Sequence, residues 1–287
     1  MSLLTLSIIR CHHWRSMSGI LAYRFVLILL ASMLFLDRFF DHCQLPLRGA
    51  LVQQDKVQQD KPQKPVVYER GSCQVGTVGG NPSNHNYGAW GVCTNLLPPD
   101  PLVYSFGIGV DVSFDVAIVR DFGARAVFCY DPTIDKEYFA KISNGKDKNL
   151  LFSQLGAGAS NDVIHFYKSK DPRIQSLVST PGLSGYNIEP YLTAPVHEIS
   201  SIAAINKHSW VDLIKLDIEG AEFDLLLQAD LRLLPTSHIL VEFHARMFEE
   251  GWDKQSQVYE RFFAAGWELA YEQPKKKEET IFIRVTE

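Results

Sequence analysis

Several things are missing from these 287 residues, and each absence narrows what the chain can be. None of the five cysteines (Cys11, Cys43, Cys73, Cys93, Cys129) stands in a CxxC pair, which argues against a zinc site of the usual spacing. There is no basic excess: the formal net charge is -5, so nothing draws the whole chain toward nucleic acid, and none is expected as a partner. The one basic run, Lys275-Lys276-Lys277, is followed directly by Glu278 and Glu279 and is expected to be a solvated turn. No Asn-x-Ser/Thr sequon is present, because Asn81 is followed by Pro82. No uncharged apolar run reaches the roughly 20 residues of a spanning helix; the longest, FVLILLASMLFL, covers Phe25 to Leu36.

That run still has a use near the N-terminus. Extended back to Ser18 it takes in Arg24, whose long side chain can snorkel toward headgroups. Arg10, Arg15 and Arg24 precede it, which favours a cytoplasmic tail over 1–17 and a signal anchor over 18–40. The run meets Asp37-Arg38-Phe39-Phe40 rather than small residues, a poor cleavage site, so a cleaved signal peptide is the alternative. Residues 41–70 then form a polar stem in which VQQDK occurs twice in tandem before Pro62 and Pro65. The expected layout is anchor, stem and a globular domain over 71–287, held single-pass in the lumen of the ER or Golgi, or secreted. In that oxidising setting Cys73 and Cys93 could close the Gly- and Asn-rich loop between them; in the cytosol they would be two thiols. The missing sequon weighs mildly against the lumen.

From about residue 98 strands and helices alternate. Val103–Phe106, Ala126–Tyr130, Asn149–Leu155, Val211–Leu216 and Ile239–Phe243 have strand character. Helical spacing joins Phe114, Ala117 and Ile118 up to Gly123, then Leu225 to Leu227, then Val258, Phe262 and Phe263 up to Gly266. Trp267–Tyr271 and Thr280–Val285 form a closing antiparallel hairpin. The pattern predicts an α/β fold: a mostly parallel sheet with helices on both faces and a C-terminal antiparallel hairpin. Asp171 to Pro195, with its prolines, glycines and tyrosines, is expected to be irregular, either a lid or a surface loop.

The chemistry-bearing residues sit at strand ends. Gly107-Ile108-Gly109 follows the first strand and opens a helix, where backbone can approach a ligand. The third glycine of a dinucleotide fingerprint would stand at Val112, which counts against a nicotinamide cofactor. Asp131 follows Gly109 by 22 positions and closes the next strand, placed to accept both hydroxyls of an adenosine ribose. In IKLDIEGAEFD, Asp217 ends a strand and Glu219 is a second candidate beside it. Glu222 and Asp224 are expected to belong to the helix start and its exposed face. Glu242 and His244 end the fifth strand, so Asp217, Glu242 and His244 are expected to converge, His244 as a base or, with the acids, as a ligand of a hard cation.

VYSFGIGVDVSFD, CYDPT, VDLIKLDIEGAEFDLL and LVEFH together resemble the FkbM-type methyltransferase family over roughly residues 88 to 285. The resemblance implies a class I Rossmann-like fold and S-adenosylmethionine as cofactor. It implies that Gly107 and Gly109 back the methionine end, that Asp131 holds the ribose, and that Ser160 or Asn161 lies near the adenine. Asp217 would border the methyl-transfer crevice. Ser105 stands where the common motif has an acid; its hydroxyl can hydrogen-bond but attracts an ammonium less. The expected reaction is O-methylation of a small molecule or glycan, with His244, Asp217 or Glu242 taking the proton. Mg²⁺ held by Asp217 and Glu242 would instead lower the hydroxyl's pKa. The alternative is a methyltransferase-like binding protein without catalysis.

Overall fold

A computed structural model describes residues 66–286 except 146 and 173–175; the tail, the anchor and most of the stem assigned above lie outside the described residues. Among the described residues no helix is long and apolar enough to cross a membrane.

Two short strands, β1 (Val75–Val78) and β2 (Trp90–Cys93), pair antiparallel, and a disulfide joins Cys73 to Cys93. Then come β3 (Leu102–Phe106), α1 (Ser113–Phe122), β4 (Ala126–Tyr130), α2 (Lys136–Ile142) and β5 (Leu150–Ser153). Next are β6 (Gly156–Ala157), β7 (Asp162–Lys168), β8 (Leu177–Val178), β9 (Leu192–His197) and α3 (Ile199–Asn206). The chain continues through β10 (Leu213–Leu216), α4 (Ala221–Gln228), β11 (His238–Glu242), α5 (Gly251–Ala264), β12 (Trp267–Glu272) and β13 (Glu279–Arg284).

Seven strands form the main sheet in the order β12-β13-β11-β10-β3-β4-β5. The pairs from β11 to β5 are parallel, and the β12–β13 hairpin adds antiparallel against β11. The strands are apolar on both sides because both sides are covered. Tyr104, Phe106, Phe128, Ile214, Leu216 and Val241 pack under α3, α4 and α5. Val103, Val127, Leu213, Leu240 and Ile281 pack under α1, α2 and the β1–β2 hairpin. Gly123 ends α1 in the left-handed conformation and its N–H returns to Ile118 O, as its place after the last apolar residue predicts.

The sheet order creates a crevice. The chain leaves β3 toward β4 on one side, while β10 lies on the other side and leads to β11, so the carboxyl ends of β3 and β10 face a topological switch point. Sequence patterning missed the β1–β2 pair, α2, α3 and the strands from β6 to β9. The stretch expected to be irregular contains β8 and much of β9, and with β6 and β7 they form a separate sheet of order β6-β9-β7-β8. Two of these strands have only two residues, too few to show a period.

Candidate functional site

The glycine turn after β3 is shaped by close backbone approach. Gly107 has φ 73, and a Cβ there would stand 1.6 Å from Asp217 O, so only glycine lets β3 and β10 meet at this point. Its N–H donates to Tyr130 O at 2.8 Å, and its carbonyl accepts from Lys215 Nζ at 3.0 Å. Gly109 has φ 52, but a Cβ there would meet nothing within 4 Å. The first glycine therefore serves the fold, and the second leaves open space in front of its backbone.

Asp131 is nearly buried at the end of β4. Its Oδ2 accepts from Gly109 N at 2.9 Å, and its Oδ1 accepts from Thr133 N at 2.8 Å and Thr133 Oγ1 at 2.6 Å. A carboxylate offers about four lone-pair positions. With three taken, the expectation that Asp131 accepts both ribose hydroxyls needs revision: one position remains, and the side chain already ties the glycine turn to β4.

Ser105 is fully buried in the middle of the sheet, in register with Lys215 on β10 and Cys129 on β4. Its side chain lies against Asp115 of α1, out of contact with solvent. Burial raises the Asp115 carboxyl to about 6, against the opposing influence of Lys215 and Ser105. Ser160 and Asn161 directly precede β7 of the smaller sheet. Asn161 accepts from Glu198 N at 2.9 Å and donates to Ser201 Oγ at 3.0 Å, so its amide fastens the start of α3. β5, whose end the sheet order brings to the β4 side of the crevice, finishes at Ser153, seven residues before Ser160.

Asp217, Glu242 and His244 do converge. Asp217 follows β10, Glu242 ends β11, and His244 lies two residues on; one side-chain atom from each sits within 4.8 Å of the other two. Lys215 Nζ reaches Asp217 Oδ2 at 3.4 Å and lies 4.6 Å from the centre of the Trp90 ring, which covers it. His244 is only 3% exposed. Its Nε2 lies 3.5 Å from Glu219 Oε2, 3.9 Å from Asp217 Oδ1 and 4.0 Å from Glu242 Oε1.

Glu222 turns out to organise this cluster. It is fully buried, not on an exposed helix face. Its Oε2 accepts from Gly220 N at 2.8 Å, while Oε1 accepts from His244 N at 2.8 Å and faces His244 Nδ1 at 3.3 Å. One carboxylate thus joins the turn before α4 to the residues after β11. Burial opposes charge on the imidazole, but the Glu222 hydrogen bond and the carboxylates of Glu222, Glu219 and Glu242 outweigh it and raise His244 to about 10. In this state Nε2 offers a proton, so His244 acts as a base only once that proton is removed. Burial, then Asp217, raises Glu242 to about 8 against His244 and Lys215. Burial also raises Glu219.

Two walls of the crevice were not legible in advance. The disulfide-closed loop brings Tyr87 within the field of Asp217, Asp111, Glu219 and Glu242, which with burial raises its phenol. From the smaller-sheet region, Ser176 hydrogen-bonds toward Glu219 and Tyr186. A Tyr or Ser in a glycine-rich loop carries no local pattern, so no signal in the sequence pointed to either.

Residues 105–272, more than half of the chain, match the family model described as the methyltransferase FkbM domain. None of the curated proteins compared matches the chain. Among solved structures, the Methanococcus jannaschii fibrillarin pre-rRNA processing protein is similar at 10% identity and TM-score 0.38, covering 67% of this chain and 70% of that one. A Listeria monocytogenes protein described as a "putative S-adenosylmethionine dependent methyltransferase" is similar at 10% identity and TM-score 0.32, covering 66% of this chain and 92% of that one. At such scores these likenesses carry no inference.

Proposed function

The chain belongs to the methyltransferase FkbM domain family, and from that premise we propose that it transfers the methyl group of S-adenosylmethionine to a hydroxyl of a small molecule or glycan. The observation that carries this reading is the juxtaposition of the open Gly109 turn with the Asp217, Glu242 and His244 cluster at one switch-point crevice.

Bound there, S-adenosylmethionine supplies an electrophilic methyl on a sulfonium sulfur, so the protein has to align and deprotonate rather than form a covalent link. Gly109 leaves its backbone open to the ligand, and Asp131 keeps one lone-pair position for a ribose hydroxyl while its other bonds hold the turn. Lys215 fixes the Gly107 carbonyl and Asp217 together, so the cofactor turn and the acidic cluster move as one piece. On this reading the cluster of Asp217 and Glu242 takes up the substrate's hydroxyl proton when no cation occupies it. Held there, S-adenosylmethionine would supply the methyl and its sulfur would depart as a neutral thioether, while the residues named above would align the substrate oxygen and take its proton.

Incubating the protein with methyl-labelled S-adenosylmethionine and a fractionated cell extract tests this. The expected result is label in a small-molecule or glycan fraction, as an ether stable to mild base. Cofactor binding without transfer to any fraction would instead identify a binding protein.

A further inference from the structure

We propose that Asp217, Glu242 and His244 form a binding site for one hard divalent cation, Mg²⁺ or Mn²⁺, and that this cation selects substrates with oxygen atoms on two neighbouring carbons. The cation site stands on geometry alone; the substrate class rests on the methyl-transfer reading above.

The ligand atoms come from two adjacent parallel strands. Because β10 and β11 pair in register, Leu216 with Val241, the residues just beyond them are brought level at the same sheet edge. Asp217 Oδ2 is held by Lys215, and Oδ1 faces the cluster. Glu242 Oε1 faces it from the other strand. The imidazole is the decisive element. His244 is almost fully buried, and its Nδ1 and backbone N–H are both directed at Glu222. That leaves Nε2 aimed at three carboxylates, with no hydrogen bond to any described residue, the nearest oxygen being Glu219 Oε2 at 3.5 Å, and a cation binding there displaces the Nε2 proton into solvent. A buried carboxylate fixing one ring nitrogen while the other points at carboxylate oxygens is the arrangement that orients a metal-ligating histidine. Two carboxylates and one imidazole suit a hard cation of near-octahedral preference better than a thiophilic one.

The charge count points the same way. Asp217, Glu219, Glu222 and Glu242 gather around one imidazole and one ammonium, so the site holds four acidic groups against two basic ones, and with the acids ionised negative charge is in excess. Glu279, in register with Glu242, adds another acid beside them. Like charges brought this close repel unless a cation intervenes.

Three ligands from one side leave the outer positions of an octahedral ion open toward the crevice. Two oxygens on adjacent carbons span neighbouring positions of such an ion, whereas a lone hydroxyl fills one. Glu219 is not needed as a ligand and stays within reach of the site, so with Asp217 and Glu242 engaged by the cation it takes the hydroxyl proton in their place, as the O–C bond forms and the S–C bond breaks.

The test uses the full chain in detergent, stripped with chelator, and Mn²⁺ as a paramagnetic probe read by the loss of its free electron-resonance signal. One saturable site per chain, competed by Mg²⁺, is expected. Asp217→Asn and Glu242→Gln should each weaken it at least tenfold; both relieve repulsion, so both should remain folded by circular dichroism. Adding 3,4-dihydroxybenzoate, but not 3-hydroxybenzoate, should change the bound-Mn²⁺ spectrum. Absence of saturable Mn²⁺ binding, or binding by both variants as tight as that of the wild type, overturns the cation site. An identical response to the two benzoates overturns the substrate class. S-adenosylmethionine is titrated into the same wild-type samples. Cofactor binding without Mn²⁺ leaves methyl transfer standing and removes the metal, and the reverse result removes the cofactor reading alone.

Discussion

Removing the Glu222 carboxylate should cost more stability than any other single change at the site. It is fully buried and accepts two backbone N–H bonds at 2.8 Å, from Gly220 and His244, while facing the His244 ring. In Glu222→Ala, both N–H groups lose their acceptor inside the protein, at about 1–3 kcal/mol each. The imidazole also loses its closest counter-charge, and breaking a buried pair typically costs about 3–5 kcal/mol. These contributions overlap, because one side chain makes them all, so a total of about 4 kcal/mol is expected rather than their sum. Glu222→Gln keeps the shape. Its single amide oxygen can serve one N–H while its NH₂ group confronts the other, and a cost of about 2 kcal/mol is expected. Urea denaturation of chelator-treated protein measures both. The midpoint should fall in the order wild type, Gln, Ala, with an unchanged slope showing that the change lies in the native fold. If both variants stay within about 0.5 kcal/mol of wild type, the range of ordinary surface changes, the claim that Glu222 holds the two segments together is wrong.

The two glycines of the turn should respond differently. Gly107→Ala puts a methyl against Asp217 O and is expected to destabilise well beyond the roughly 1–2 kcal/mol of a left-handed alanine, whereas Gly109→Ala, with open space ahead of it, should cost about that strain alone while weakening cofactor binding; thermal melts with calorimetry separate the two effects. Asp115 supplies a pH test. Its native pKa of about 6 lies above the unfolded 3.8, so its contribution is fully present below pH 3.8 and is lost as pH rises through 6, about 3 kcal/mol in all. Asp115→Asn should flatten that slope in urea titrations between pH 4 and 7; profiles parallel to wild type would contradict the burial account.

The main sheet was legible because its strands are buried on both faces, which writes runs such as LVYSF and AVFCY into the sequence as continuous apolar segments. Helix ends at Gly123 and near Gly266 were legible for a local reason, since a left-handed stop favours glycine, whereas the end of α3 on left-handed Lys207 carried no such mark. What escaped depended on contacts distant in sequence. Glu222 read as an exposed helix-start acid because nothing local shows that His244, 22 residues on, folds its amide against it. Ser105 read as a ligand residue because strand position alone does not say which face a side chain takes; register with Lys215 and Cys129 turns it into the interior. Asp217, Glu242 and His244 were found because ends of neighbouring parallel strands fall at one edge, an inference that needs only the strand order. The disulfide was left open because cysteine spacing alone does not decide pairing, and the fold brings Cys73 and Cys93 together.

Calorimetric titration of S-adenosylmethionine, with NAD as control, into wild type and Asp131→Ala tests the central claim most directly. The predicted result is one saturable site per chain for S-adenosylmethionine, none for NAD, and at least tenfold weaker cofactor binding in a variant that circular dichroism shows to be folded. A folded wild type that binds no S-adenosylmethionine, or an Asp131→Ala variant that binds it as tightly as wild type, would contradict the placement of the cofactor at the β3–β10 crevice.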